Sequence, residues 1–197
     1  MKVTRAQADE NRRKVVETAG RLFKEHGFDG VGLNALMEAV GLTRGGFYKQ
    51  FASKDALVVE ACESTLAAGV ERWRQTAGAH PDDPFAALVR RYLTPAHRDH
   101  MAEGCAFSAL GADSARHAEM LRPSFGEGVE THLALLEQAA QASPPHPGAH
   151  DVLAAFSTMV GALVLSRIVD DDDLSRRLLD SATASILGPD TKENGSA

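Results

Sequence analysis

Between Glu38 and Asp55 the chain runs for sixteen residues without an acid and carries Arg44, Lys49 and Lys54. Arg44 and Lys54 fall where the first turns of two helices are expected, a place in which the helix macrodipole favours acids and disfavours cations. Cations kept there suit an external anion, because a phosphate backbone accepts both the cations and the open N–H groups of helix N-termini. The plainer alternative is that both side chains are simply solvated. Cys105 follows Gly104 at another expected helix start, where the dipole favours the reactive thiolate; the alternative is a small buried thiol with no chemistry. His97 and His100 offer two imidazoles with no clear third ligand, so no metal is expected. The run Asp170 to Asp173 lacks the spacing and the glycine of a calcium loop and reads as a solvated loop and helix cap. Gly27, Gly30 and Gly32 follow no strand, and no serine sits in a nucleophile elbow. No catalytic residue and no cofactor is expected.

The elements that must position these residues are helical. Alanine (32) and leucine (20) dominate while isoleucine occurs twice, which favours helices over strands. Val15, Ala19, Leu22 and Phe23 share one face of a first helix that stops at Gly27. Leu33, Leu36, Met37 and Val40 make a short second helix before Gly41, and a shorter third follows from Thr43. Ser53 is placed to cap a long fourth helix whose stripe Val59, Cys62, Leu66, Val70, Trp73 reaches about Gly78. A helix through Phe85, Leu88, Val89 and Tyr92 is expected to close at Pro95. Another begins near Gly104, and a longer one runs to Ala142 with an early kink at Pro123. Beyond the proline-rich loop Ser143 to Gly148, two helices span about Asp151 to Val169 and Leu174 to Leu187, and a disordered tail is expected from Gly188. The expectation is an all-α protein of about nine helices without strands or repeats.

At 197 residues the chain holds one large domain or two small ones. No stretch reaches roughly 18 uncharged apolar residues and the N-terminus opens polar, so neither a membrane span nor a secretory signal is expected. Two cysteines are too few for a disulfide scaffold and fit a reducing, cytoplasmic compartment. The net charge of −6 argues against a nucleic-acid partner until it is divided. Residues 1–60 carry ten basic and eight acidic side chains, residues 61–197 eleven and nineteen. A basic N-terminal module on an acidic body suits a DNA reader with a separate regulatory part.

Helix, glycine turn, helix from Leu33 to Phe51 is the spacing of a helix-turn-helix, with Gly41 ending one helix, Leu42 plugging the turn into the core and Thr43 capping the next. The segment Gly41-Leu42-Thr43-Arg44-Gly45-Gly46-Phe47-Tyr48-Lys49-Gln50-Phe51, followed by Ser53-Lys54-Asp55-Ala56-Leu57, resembles the signature of TetR-family transcriptional regulators. Ala19, Leu22, Phe23, Gly27 and Phe28 resemble that family's first helix and its exit, and the likeness covers about residues 10–60. It implies a DNA-binding domain over residues 1–52 and a helical ligand-binding and dimerisation domain over 53–197. It further implies a homodimeric repressor of a pseudo-palindromic double-stranded operator, released by an unidentified small-molecule effector. By matched position Thr43, Arg44, Gly45, Tyr48 and Lys49 belong to the recognition helix and Lys54 grips phosphate. Arg44 is the expected base reader, because Arg pairs bidentately with guanine O6 and N7.

The sequence departs from that pattern twice. Gly32 stands where a hydroxyl residue commonly caps the second helix, and Gly46 where a side chain often faces the groove. Asn34 and an N-terminal arm carrying Arg5 are the expected compensations, the arm by entering the minor groove. Gly104-Cys105 is similar to the Gly-Cys of an electrophile-sensing branch of the family. Trp73, Phe107 and Phe125 are candidate linings of a ligand pocket, although each also suits plain core. The final two helices mix apolar residues with small ones (Ala154, Ala155, Gly161, Ala162, Ser166) that permit close packing; by resemblance they pair with those of a second subunit as a four-helix bundle, and the alternative is that they complete the monomer's own core. The competing reading is an all-α ligand- or partner-binding protein without DNA affinity.

Overall fold

The computed structural model describes residues 4–189, which form ten α-helices, one 3-10 helix and no strand. The helices are α1 (Arg5–Gly30), α2 (Leu33–Ala39), α3 (Arg44–Phe47), α4 (Lys54–Ala79) and α5 (Pro84–Tyr92), then α6 (Pro95–Asp99), α7 (Ala106–Arg116), α8 (Ala118–Ala142), α9 (Val152–Ile168) and α10 (Asp172–Leu187). The tail expected from Gly188 lies, beyond residue 189, outside the described residues.

The tenth helix arises at Pro95, which does not close the preceding helix but opens α6, with Thr94 Oγ1 accepting from His97 N at 3.1 Å. Proline suits that first position because its missing N–H would be unpaired there anyway. Gly27 (φ 74°, ψ 170°) interrupts α1, as expected for the exit of the first helix, and the chain regains a helical turn to Gly30. A side chain at Gly27 would also meet Asp113 Oδ2 at 2.8 Å. Helix α8 continues through Pro123, and the loop after Ala142 contains a 3-10 turn over Pro147–His150. Asp171 caps α10, accepting from Asp173 N at 2.8 Å and Leu174 N at 3.0 Å, so the acidic run is the expected cap.

The described residues divide into two compact units, 4–69 with 101–128 and 70–100 with 129–189. In the first, α1 packs on α2 and α7, and Val15, Ala19, Phe23, Leu36, Met37, Phe47, Leu57 and Leu110 are buried in one cluster. Lys24, itself buried, donates to Gly104 O at 3.2 Å and ties α1 to the turn before α7.

In the second unit α9 and α10 pack together, α5 rests on α10 and α6 on α9. Arg167 of α9 donates to His97 O at 2.9 Å and Arg98 O at 3.1 Å, satisfying carbonyls that end α6. Trp73, Tyr92, His132 and Phe156 meet edge to face or stacked around the Trp73 ring. His97 lies against the Tyr92 ring at 4.6 Å. Its burial pushes the imidazole down to about 4; the hydrogen bond with Tyr92 O opposes this, and Arg167, Arg72 and Arg91 reinforce it. A histidine held neutral by folding binds fewer protons folded than unfolded between about pH 4 and 6.5, so stability is present above that range and lost as pH falls through it. The wild-type protein is expected to lose about 2 kcal/mol between pH 7 and pH 5 through this residue. Denaturant unfolding at both pH values checks it: His97→Gln should flatten the pH dependence, and an unchanged slope in that variant overturns the assignment.

Candidate nucleic-acid interface

Helix α2 ends in a left-handed glycine. Gly41 has φ 68°, its N–H donates to Glu38 O at 3.0 Å, and Leu42 N donates to Met37 O at 2.9 Å. This is the paired hydrogen-bond pattern of a Schellman stop, and it turns Leu42 onto the cluster that contains Met37. Three residues after that glycine, α3 begins and makes a single turn, Arg44–Phe47, and the chain leaves it through Gln50 N and Phe51 N, both donating to Phe47 O. The helix is this short because Gly45 and Gly46 each cost about 1 kcal/mol relative to alanine in a helix interior. Tyr48 and Lys49, expected on the recognition helix, lie in the turn that follows it. Thr43 occupies the cap position, yet its side chain makes no capping hydrogen bond, so the expected capping role is not realised.

Aromatic packing decides which way this segment faces. Phe47 is fully buried and stacks on buried Phe51 at 5.2 Å. Tyr48 sets its edge against Phe47 at 5.2 Å and remains 58% exposed. Anchoring Phe47 and Phe51 inward turns Arg44, Gly45, Tyr48 and Lys49 to solvent, together with Thr43 and, on α2, Asn34. Gly46 is half-buried. A Cβ at Gly45 would meet nothing within 4 Å, and one at Gly46 only Thr43 Oγ1 at 3.7 Å. Internal crowding therefore does not demand either glycine, and the exposed side of α3 presents bare backbone between Arg44 and Tyr48.

Two of the expected contact residues are differently placed. Arg5, expected on an N-terminal arm, is instead the first residue of α1, exposed and inside a helix capped by Thr4, whose Oγ1 accepts from Gln7 N at 3.2 Å. Lys54 is half-buried at the start of α4, with Nζ donating to Phe28 O at 2.6 Å. One of its three N–H donors thus joins α4 to the exit of α1. The cap at this end is Ser53, whose Oγ accepts from Ala56 N at 3.0 Å, as expected.

Arg12 joins the site from outside the set expected from the sequence. Its guanidinium donates to Gln50 O and pairs with Glu60, and it lies 4.2 Å from the centroid of the Phe51 ring. One side chain of α1 thereby fastens the end of the recognition turn and α4. Its partners are 38 and 48 positions away, so no local spacing announces the clamp.

Among the candidate sensing residues, Cys105 occupies the cap position of α7 and is half-buried. Its carbonyl accepts from Ser108 Oγ at 3.1 Å. Cys62 is buried, and desolvation, with the adjacent charge of Glu63, pushes its thiol up to about 12, which leaves it a poor nucleophile. Phe107 and Phe125 come together edge to face at 6.0 Å in the first unit. Trp73 belongs to the aromatic cluster of the second. Among the described residues no group of three or more His, Cys, Asp or Glu is arranged to hold a metal, and no helix is long and apolar enough to cross a membrane.

Residues 15–61 match the family described as bacterial regulatory proteins, tetR family. The HTH-type transcriptional repressor NemR of Escherichia coli is 27% identical over 135 residues, 67% of this chain and 68% of that protein. The crystal structure of the reduced form of E. coli NemR superposes with a TM-score of 0.76 at 23% identity, covering 92% of this chain and 99% of that one. A TetR transcriptional regulator from Chloroflexus aurantiacus gives the same TM-score and coverage at 22% identity.

Proposed function

We propose that this chain is a TetR-family transcriptional regulator that works in the cytoplasm as a homodimeric repressor, binds a pseudo-palindromic operator and is released by a small molecule or electrophile. The observation that carries the DNA reading is the division of one turn: Phe47 and Phe51 are buried while Arg44, Tyr48 and Lys49 stand in solvent within a stretch that holds no acid. Arg44 reads guanine in the major groove, Tyr48 and Lys49 meet phosphates, and the bare backbone of Gly45 and Gly46 lets the turn approach closely. Thr43, Asn34 and the remaining N–H donors of Lys54 add backbone contacts.

Dimerisation through α9 and α10 is supported by their outer faces. Leu153, Leu165, Ile168 and Leu174 are exposed by 63, 48, 70 and 38%. A helix apolar on all sides, as α9 is, asks for cover on both. Paired this way, two recognition helices would meet successive major grooves about 34–36 Å apart. Sedimentation at micromolar concentration should show a dimer, and a monomer there would sink that part of the reading.

Release is assigned to the first unit, where the half-buried thiol of Cys105 begins α7 and Phe107 and Phe125 lie along and beyond that helix; Trp73 serves the second unit's aromatic cluster. The test is the affinity for DNA upstream of the protein's own gene at two salt concentrations, before and after a thiol-reactive electrophile. Tight binding that weakens steeply with salt is expected, since Lys and Arg contacts release counterions from phosphate. Loss on treatment that Cys105→Ser abolishes would assign the sensor to this thiol. Binding that survives treatment would exclude it, and no binding at either salt would favour the all-α binding protein without DNA affinity.

A further inference from the structure

A cleft of about 670 Å³ opens in the second unit, walled by the end of α4, the loop after it and α5. Three guanidinium-bearing residues line it, Arg72 from α4 and Arg90 and Arg91 from α5, together with Gln75 and Thr76. Ala79, Pro81 and Ala87 supply an apolar wall. Arg90 and Arg91 stand in the last turn of α5, where the helix dipole favours cations, and Arg72 reaches the same cleft from another helix.

The surroundings make this concentration of charge unusual. Among its described residues the second unit has eight basic and twelve acidic side chains, and three of the eight line one cleft. The acids at the cleft are Asp82 and Asp83. Asp83 is committed elsewhere: it caps α5 by accepting from Ala86 N at 3.1 Å, and it meets His146 Nε2 at 3.0 Å. His80, the other titratable group, has Nδ1 on Thr76 O at 3.0 Å. Arg72 and Arg91 also act together on His97, helping to hold that imidazole neutral. The volume lies within the range of small-molecule sites, and planar guanidinium forks match carboxylate and phosphate oxygens.

We propose that this cleft between α4 and α5 binds a small organic anion, a carboxylate or phosphate head on a short apolar body, with Arg72, Arg90 and Arg91 on the head and Ala79, Pro81 and Ala87 against the body. The site stands independently of the DNA reading, because its occupancy is measured without DNA. The full chain is titrated with benzoate and with phenyl phosphate by calorimetry, while the Nε–Hε resonances of the arginines are followed by NMR. The expected result is saturable binding of at least one probe, with shifts at Arg72, Arg90 and Arg91. The probe that binds more tightly identifies the head group. Arg90 and Arg91 are exposed, so the double variant Arg90→Gln/Arg91→Gln should melt as the wild type does and bind about tenfold or more weakly. Saturation by neither probe, shifts confined to other arginines, or equal affinity in the folded double variant would each overturn the proposal.

Discussion

Phe47→Ala is expected to lower the stability of the first unit by about 3–5 kcal/mol and to remove DNA binding with it. The ring is fully buried, stacks on Phe51 and receives the edge of Tyr48. The helix that carries it has one turn, so few backbone hydrogen bonds remain to hold the segment once the ring is gone. Truncation removes the transfer energy of the ring and leaves a cavity that neighbouring helices fill only in part. At roughly 2–4 °C per kcal/mol for a chain of this size, the melting temperature should fall by about 10 °C. Phe47→Leu, which keeps most of the volume, should recover most of the loss. Calorimetry decides the matter: a melting temperature within a degree or two of wild type for Phe47→Ala would show that this ring does not hold the turn.

Arg44→Ala is expected to leave the melting temperature unchanged and to weaken binding to the operator by about 10- to 100-fold, the worth of one bidentate guanine contact. The side chain is exposed and its removal opens no cavity. Lys49→Ala is the matched control. Removing a cation that meets only phosphate should weaken all sequences about equally and flatten the salt dependence by about one unit of slope. The two roles separate on operators altered base by base. Arg44→Ala should lose discrimination at one base pair per half-site, whereas Lys49→Ala should keep it. If Arg44→Ala weakens all sequences equally, Arg44 is a phosphate contact and base reading falls to other residues.

Both expectations rest on which face of a four-residue helix points inward. The sequence carries the ingredients of that choice, since Phe47 and Phe51 at i and i+4 are natural anchors and Arg44, Tyr48 and Lys49 are not. The stop at Gly41, the cap at Ser53 and the Asp171 cap of α10 were equally legible. Each is a local event: a left-handed glycine or a side-chain oxygen two or three residues from the N–H it accepts. The apolar stripes of α1, α2 and α4 follow from helical periodicity for the same reason.

What the sequence determined by itself was set within about one helical turn: the all-α class, the stop at Gly41, the caps at Ser53 and Asp171, and the exposed Arg44 and Lys49 of the helix-turn-helix, whereas the Thr43 cap and a stop at Pro95 were not realised. Only the tertiary structure decided the rest, because those interactions join residues far apart along the chain. Lys54 turns one donor to Phe28 O, Arg12 reaches Gln50 and Glu60, and Lys24 is buried on Gly104 O. Arg72 comes to share a cleft with Arg90 and Arg91 across a helix reversal, a juxtaposition invisible to any periodicity. Capping and periodicity are properties of neighbours in sequence, whereas a clamp or a charged cleft exists only once packing has fixed which distant side chains share a surface.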